Sequence, residues 1–139
     1  MHIDSITNGV VIDHITAGRG MKLYDLLGLD NTDCSVAIIK NVSSKKMGKK
    51  DIIKIDADIP INFDVIGYVD PGITVNIIKD GKLYEKRAIK TPDTLKNVIK
   101  CKNPRCITSI ERELDHVFKL TDKENYVYRC LYCETKAQW

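Results

Sequence analysis

The segments CKNPRC (101–106) and CLYC (130–133) place four of this chain's five cysteines in two tight pairs near its end. No other feature limits the fold as much. The full spacing is Cys101-x4-Cys106-x23-Cys130-x2-Cys133. Zn²⁺ takes four ligands in a tetrahedron, and four thiolates satisfy it without leaving an open position. Each short pair makes one tight turn carrying two ligands. The arrangement predicts one structural Zn²⁺ per chain, held by Cys101, Cys106, Cys130 and Cys133, with no catalytic role for the metal. A segment of about 40 residues cannot bury enough apolar surface to fold unaided, and the metal would supply the missing stability. Four unrelated reduced thiols is the alternative, and the spacings argue against it. His116 lies between the pairs. It is expected to be exposed or to back the ligands, since four cysteines already fill the site. Cys34 stands alone beside a strand and reads as a small buried hydrophobe.

Free cysteines stay reduced in the cytoplasm, where paired cysteines serve as metal ligands more often than as disulfides. The first residues, MHIDSITNG, lack the basic-then-apolar pattern of a secretion signal. No run approaches the roughly 18 apolar residues of a membrane span. A cytoplasmic location without membrane attachment is therefore expected.

Charge speaks against a nucleic-acid partner. The formal net charge is only +3, with 13 basic and 12 acidic residues over 1–92 and 9 against 7 over 93–139. A dedicated binder concentrates basic residues, because each neutralised phosphate adds affinity. Neither half does so.

Upstream of the cysteines, apolar periodicity alternates between strand and helix. VVIDHI (10–15) is rich in β-branched residues and predicts a strand. In GRGMKLYDLLGL, Leu23, Leu26 and Leu27 recur at helical spacing, and Gly28 is a stop signal. SVAIIKN (35–41) predicts a second strand, SSKKMGKK (43–50) a polar loop, and DIIKIDA (51–57) a third strand. Ile61, Val65, Tyr68 and Val69 follow at helical spacing and end at Pro71-Gly72. TVNIIKDGKLYEKRAI is a hairpin turning at Asp80-Gly81, since Asp-Gly suits a two-residue turn.

The order β-α-β-β-α-β-β is the split βαβ, ferredoxin-like pattern with one extra strand. The expected fold class is α+β: a ferredoxin-like antiparallel sheet with helices on one face, followed by a small zinc-ribbon-like β domain. The expected domains are residues 1–92, a connector at 93–100 with at most one helical turn, and 101–139. HVFKL and YVYRC supply two strands between the cysteine pairs. Exposed sheet edges need covering, and dimerisation is one way to cover them.

Catalytic signals are weak. Asp13-His14 could orient an imidazole for catalysis, but a polar pair at a strand edge explains it as well. No GxSxG, HExxH or Walker-type loop is present. Lys49, Lys50 and Lys54 on one strand, with Lys82, Lys86 and Arg87 on another, could converge on a polyphosphate or line a solvated face.

Taken together, GVVIDHI (9–15), MGKKDIIKI (47–55), TVN (74–76), CKNPRC and CLYC resemble the regulatory chain of aspartate carbamoyltransferase over nearly the full length. That resemblance implies a non-catalytic regulatory subunit in pyrimidine biosynthesis. Its N-terminal domain binds nucleotide effectors and pairs into a homodimer. Its zinc domain contacts the catalytic chain and links catalytic trimers. CTP, UTP and ATP are the implied effectors. The implied effector-binding residues are Ile3, Asp4, Ile6, Asp13, His14, Lys50, Ile52, Lys54, Asn76 and Lys86. The implied contacts to the catalytic chain are Asn103, Arg105 and Glu134. Two positions depart from the family pattern: Gly81 replaces a tyrosine beside the base, and Arg105 replaces an asparagine. Two rival readings stand beside this one. The first is a zinc-ribbon nucleic-acid-binding protein with an α+β dimerisation domain. The second is a small nucleotide-using enzyme built on Asp13-His14.

Overall fold

A computed structural model of the chain describes residues 6–138. The chain divides into two compact units, Met1–Thr91 and Pro92–Trp139. In the first, β1 (Gly9–Thr16), β2 (Val36–Ser44), β3 (Gly48–Ile55), β4 (Thr74–Lys79) and β5 (Lys82–Ala88) form one sheet in the order β2-β3-β1-β4-β5. All four pairings are antiparallel. Helices α1 (Gly20–Leu26) and α2 (Phe63–Val69) interrupt the strands as the β-α-β-β-α-β-β reading requires.

Strand β3 shows how the sheet chooses its faces. Asp51, Ile53 and Ile55 are buried, while Lys50, Ile52 and Lys54 alternate with them and are only partly covered. Side chains alternate across a strand, so the two sets lie on opposite faces. The buried set joins Val10, Ile12, Ile15 and Val75 with Leu23 of α1 and Val65, Ile66 and Val69 of α2. The helices therefore cover that face, and the lysine-bearing face lies opposite. Gly9 must be glycine, because a Cβ there would lie 2.1 Å from the Ile55 carbonyl oxygen.

Local chemistry ends each helix where the periodicity does. Gly28 is left-handed, with φ 68°, and donates its N–H to the Asp25 carbonyl at 3.1 Å. That conformation closes a helix at little steric cost for glycine. Asn62 caps α2, its Oδ1 accepting the Asp64 N–H at 3.0 Å. Asp70 ends α2 and binds back to β1, accepting the Thr16 N–H at 2.9 Å.

Three expectations change. The loop over 43–50 shrinks to Lys45–Met47, because β2 runs to Ser44 and β3 begins at Gly48. The ladder is made by backbone groups, so polar residues pair as readily as apolar ones at an exposed hairpin end. The connector over 93–100 contains a strand, β6 (Thr94–Lys96), and no helical turn. β6 pairs with β7 (Val117–Asp122), which pairs with β8 (Val127–Cys130), giving a three-stranded sheet in the second unit. Leu95, Phe118 and Tyr128 are buried there. A single turn, α3 (Ile107–Ile110), follows Cys106. Cys34 is half-buried, not buried as the sequence suggested. Among the described residues, no helix is long and apolar enough to cross a membrane.

Candidate functional sites

Strand register builds the first site. Lys54 stands opposite Val11, Val11 opposite Asn76, and Asn76 opposite Lys86. Directly opposed residues share a face, so these four form a row across β3, β1, β4 and β5. Neighbouring strands lie about 4.8 Å apart, which sets the Lys54 and Lys86 backbones about 14 Å apart with Val11 and Asn76 as the floor between them. The ammonium groups thus stand on either side of the floor over β1 and β4.

A second row lies two residues along. Asp13 stands opposite Thr74, and Thr74 opposite Ala88. On β3, Lys50 and Ile52 flank this level. The Lys50 Nζ contacts Asp13 Oδ1 at 2.9 Å. Asp13 Oδ1 also accepts the His14 N–H at 2.6 Å. Burial alone would raise the Asp13 carboxyl, but the Lys50 ammonium and the His14 amide outweigh it and hold the group below the usual carboxylate range.

Asp13 and His14 sit in a bulge, where the β1–β3 register shifts between Ile12 and Ile15. Ile12 and Ile15 both remain in the core. The extra residue lets Asp13 and His14 fall together between two core positions, with His14 left-handed at φ 60°. Asp51 braces this region from inside. It is fully buried and accepts the Gly18, Gly20 and Asn41 backbone N–H groups at 3.0, 3.1 and 3.1 Å.

The structure thus brings Asp13, Lys50, Ile52, Lys54, Asn76 and Lys86 onto one face, with His14 at the bulge beside them. Ile6 packs against Gly9 at the start of β1, its Cγ2 2.7 Å from where a Gly9 Cβ would stand. Ile3 and Asp4 lie outside the described residues. The expected basic convergence is narrower than the full set of cations, because Arg87 stacks on Phe63 of α2, 4.1 Å from the ring centre.

The second site is the cysteine cluster. The Sγ atoms of Cys101, Cys106, Cys130 and Cys133 all lie within 4.8 Å of one another. Cys101 and Cys133 sulfurs are 3.5 Å apart, and those of Cys106 and Cys130 are 3.7 Å apart. Disulfide bonds would need about 2.05 Å. A tetrahedron with Zn–S bonds of about 2.3 Å has edges of about 3.8 Å, so the four sulfurs fit one Zn²⁺. Bound there, the ion would cross-link two loops and leave no position for a substrate.

Hydroxyls and backbone amides complete the centre. The Thr108 Oγ1 lies 3.0 Å from the Cys106 sulfur, and the Thr135 Oγ1 lies 3.2 Å from the Cys133 sulfur. Thr135 Oγ1 accepts from both Asn103 Nδ2, at 3.3 Å, and the Cys133 thiol. Both threonines stand two residues after a cysteine, in Cys106-Ile-Thr108 and Cys133-Glu-Thr135. That repeated spacing was visible in the sequence and is the signal that identifies them. His116 is half-buried and binds the backbone of Cys101, so it is not a fifth ligand.

Thiol ionisation sets a pH dependence. Burial pushes the Cys101 thiol up to about 12 and raises Cys130 as well. The Thr135 hydroxyl draws Cys133 down to about 6. Metal binding needs thiolates, so loading at neutral pH expels protons from Cys101 and Cys130, and below about pH 6 from Cys133 too. Metal affinity is therefore expected to fall with falling pH, more steeply below about pH 6. Competition with a chromophoric chelator across that range checks this, and an affinity independent of pH would contradict it.

The residues expected to meet a partner lie on the two cysteine loops. Asn103 Oδ1 accepts the Arg105 N–H at 3.0 Å, while its Nδ2 reaches across to Thr135. One side chain therefore ties both loops together. Arg105 and Glu134 are exposed, and Glu134 is left-handed at φ 62°. Leu131 and Tyr132 stand beside them, 49% and 47% exposed.

Comparison with known proteins assigns both units. Residues 1–90 match the family described as the allosteric domain of the aspartate carbamoyltransferase regulatory chain, and residues 93–138 match its metal binding domain. Among curated relatives, the aspartate carbamoyltransferase regulatory chain of Clostridium tetani is 54% identical over 95% of this chain and 92% of its own length. That of Clostridium botulinum (strain Hall) is 52% identical over 95% and 90%. That of Bifidobacterium longum is 41% identical over 99% of both.

Proposed function

Since this chain belongs to the aspartate carbamoyltransferase regulatory chains, we infer that its first unit senses nucleoside triphosphates and its second transmits their binding to a catalytic chain. The chain is an allosteric regulatory subunit in pyrimidine biosynthesis and is not itself catalytic. The Asp13-His14 enzyme reading is thereby set aside, and so is the nucleic-acid-binding reading. Its second unit is a metal-binding domain whose four cysteines suit one zinc. Its partner is the aspartate carbamoyltransferase catalytic chain.

The observation that carries the effector reading is the row of Lys54, Asn76 and Lys86 beside the Asp13–Lys50 pair, all on the face away from the helices. Ammonium groups offset triphosphate charge, and a carboxylate accepts hydrogen bonds from ribose hydroxyls. Ile52 and Ile6 supply apolar surface for a base. The family resemblance adds Ile3 and Asp4 to the proposed effector-binding residues. CTP, UTP and ATP are the proposed effectors. Gly81, at φ 74°, offers no side chain at the tip of the β4–β5 hairpin, so base preference rests on the remaining contacts.

A homodimer through the first unit would cover an exposed sheet edge. On the second unit, Asn103, Arg105 and Glu134 are the proposed contacts to the catalytic chain. Loops pinned by a metal present such contacts without an ordering cost. A four-thiolate centre needs reduced cysteines, which fits a cytoplasmic location.

The test is aspartate saturation of the complex reconstituted from this chain and its catalytic partner, with and without each nucleotide. A nucleotide shifts the complex only by its differential affinity for two states, so coupling of about 1–3 kcal/mol is expected. Saturation curves unmoved by nucleotides that demonstrably bind would make this chain a scaffold and overturn the sensing role.

A further inference from the structure

His116 has metal-ligand chemistry and lies beside four clustered cysteines, yet it is not part of their cluster. Its Nδ1 accepts the backbone N–H of Cys101 at 3.1 Å. That bond commits the Nδ1 lone pair and places the neutral ring's proton on Nε2.

Asn97 grips His116 through its backbone. The His116 N–H donates to Asn97 Oδ1 at 2.9 Å, and the Asn97 N–H donates to the His116 carbonyl at 2.8 Å. Asn97 Nδ2 also reaches Asp115 Oδ1 at 2.9 Å. Asn97 is left-handed, with φ 57°, a conformation asparagine tolerates better than most residues. It directly follows β6, so the grip prolongs the β6–β7 pairing by one more step.

The ligands differ in how their amides are held. Cys106 donates its N–H to the Asn103 carbonyl at 3.1 Å, and Cys130 donates to the Thr135 carbonyl at 2.9 Å. Backbone of the cysteine loops thus orients those two. Cys101 depends instead on a side chain from a distant part of the unit. It is also the residue where the first loop begins, and its sulfur lies 3.5 Å from that of Cys133.

We propose that His116 is a positioning residue of the metal centre, a fixed acceptor that orients Cys101 and hence the first cysteine loop toward the other three sulfurs. Without it the Cys101 N–H, close to a buried thiol, has no acceptor, and the loop must shift to reach water. The role needs one acceptor atom at the Nδ1 position and no bond from the ring to the metal.

The test compares full-length His116→Leu and His116→Asn with the unmodified chain. Leucine has similar bulk and no acceptor. Asparagine places Oδ1 as many bonds from Cβ as the Nδ1 of histidine. Zinc transfer to a chromophoric chelator is expected to be on the order of tenfold faster in the leucine variant. The asparagine variant should release zinc near the original rate. In Co²⁺-substituted protein, the thiolate charge-transfer band should keep its four-thiolate intensity in all three chains. Original release rates in the leucine variant, or equally fast release from both variants, would overturn the proposal. So would a band of only three-thiolate intensity in the unmodified chain, because that would leave a coordination position for His116. If the leucine variant takes up no metal, the asparagine variant decides: release near the original rate supports the role, and faster release refutes it.

Discussion

Cys130→Ser is expected to abolish metal retention and catalytic-chain binding, and to unfold the second unit while the first stays folded. The reason is size. Below about 70–80 residues a single apolar core rarely supplies more than about 3–5 kcal/mol. The second unit spans only Pro92–Trp139, and its core rests on a few side chains such as Leu95, Phe118 and Tyr128. A structural zinc contributes about 10–16 kcal/mol in comparable small domains, more than such a core supplies. Cys130 is the critical choice because it belongs to both systems. Its sulfur is in the cluster, and its backbone pairs with Phe118 in the sheet. The first unit has its own five-stranded sheet and two helices, so it should keep its cooperative unfolding transition. Metal analysis, limited proteolysis and co-sedimentation with the catalytic chain read the three parts separately. Less than half an equivalent of metal in the native protein, with assembly intact, would sink the structural role.

Lys54→Ala and Lys86→Ala are each expected to weaken nucleoside triphosphate binding by about 1.5–3 kcal/mol, the range for a charge-assisted hydrogen bond. That corresponds to roughly 10- to 100-fold in affinity. Zinc content and folding should not change, because neither side chain lies in the core. The two variants should differ in salt dependence. Lys54 is partly covered on a central strand, while Lys86 stands exposed on the edge strand β5. An exposed charge is screened more, so added salt should shrink the Lys86 effect first. Lys50 is a less clean probe, since its removal also strips Asp13 of its ion pair. Calorimetry showing unaltered affinity in both alanine variants would remove the site from this sheet face.

Much of this protein could be read from the sequence because its signals are local. Two short cysteine pairs already imply the metal, since four thiolates saturate a tetrahedral ion. The alternation of DIIKI separates a core face from an open face within one strand, and Asp80-Gly81 names its own turn. Helix ends at Gly28 and Pro71-Gly72 follow from backbone sterics that no distant residue alters.

What the tertiary structure alone decided is register and bracing. Lys54 is separated by a long stretch of chain from the hairpin that carries Asn76 and Lys86, and nothing in their neighbourhoods says that the three stand in one row. That depends on which strand pairs with which, and on a register shift between Ile77 and Ile78 that sets Asn76 against Lys86. A one-residue slip would send each lysine to the opposite face. Asp51 looks from sequence like one more polar residue in a strand, yet it is buried and holds three backbone amides from two segments. Strand β6 has too few apolar residues to announce itself, and it forms because β7 offers it an edge. His116 shows the same limit, since its residue type pointed to the metal but only the fold set its Nδ1 against the Cys101 amide. Periodicity is written in neighbouring residues, whereas register and hydrogen-bond partners are settled by backbone groups that every residue shares.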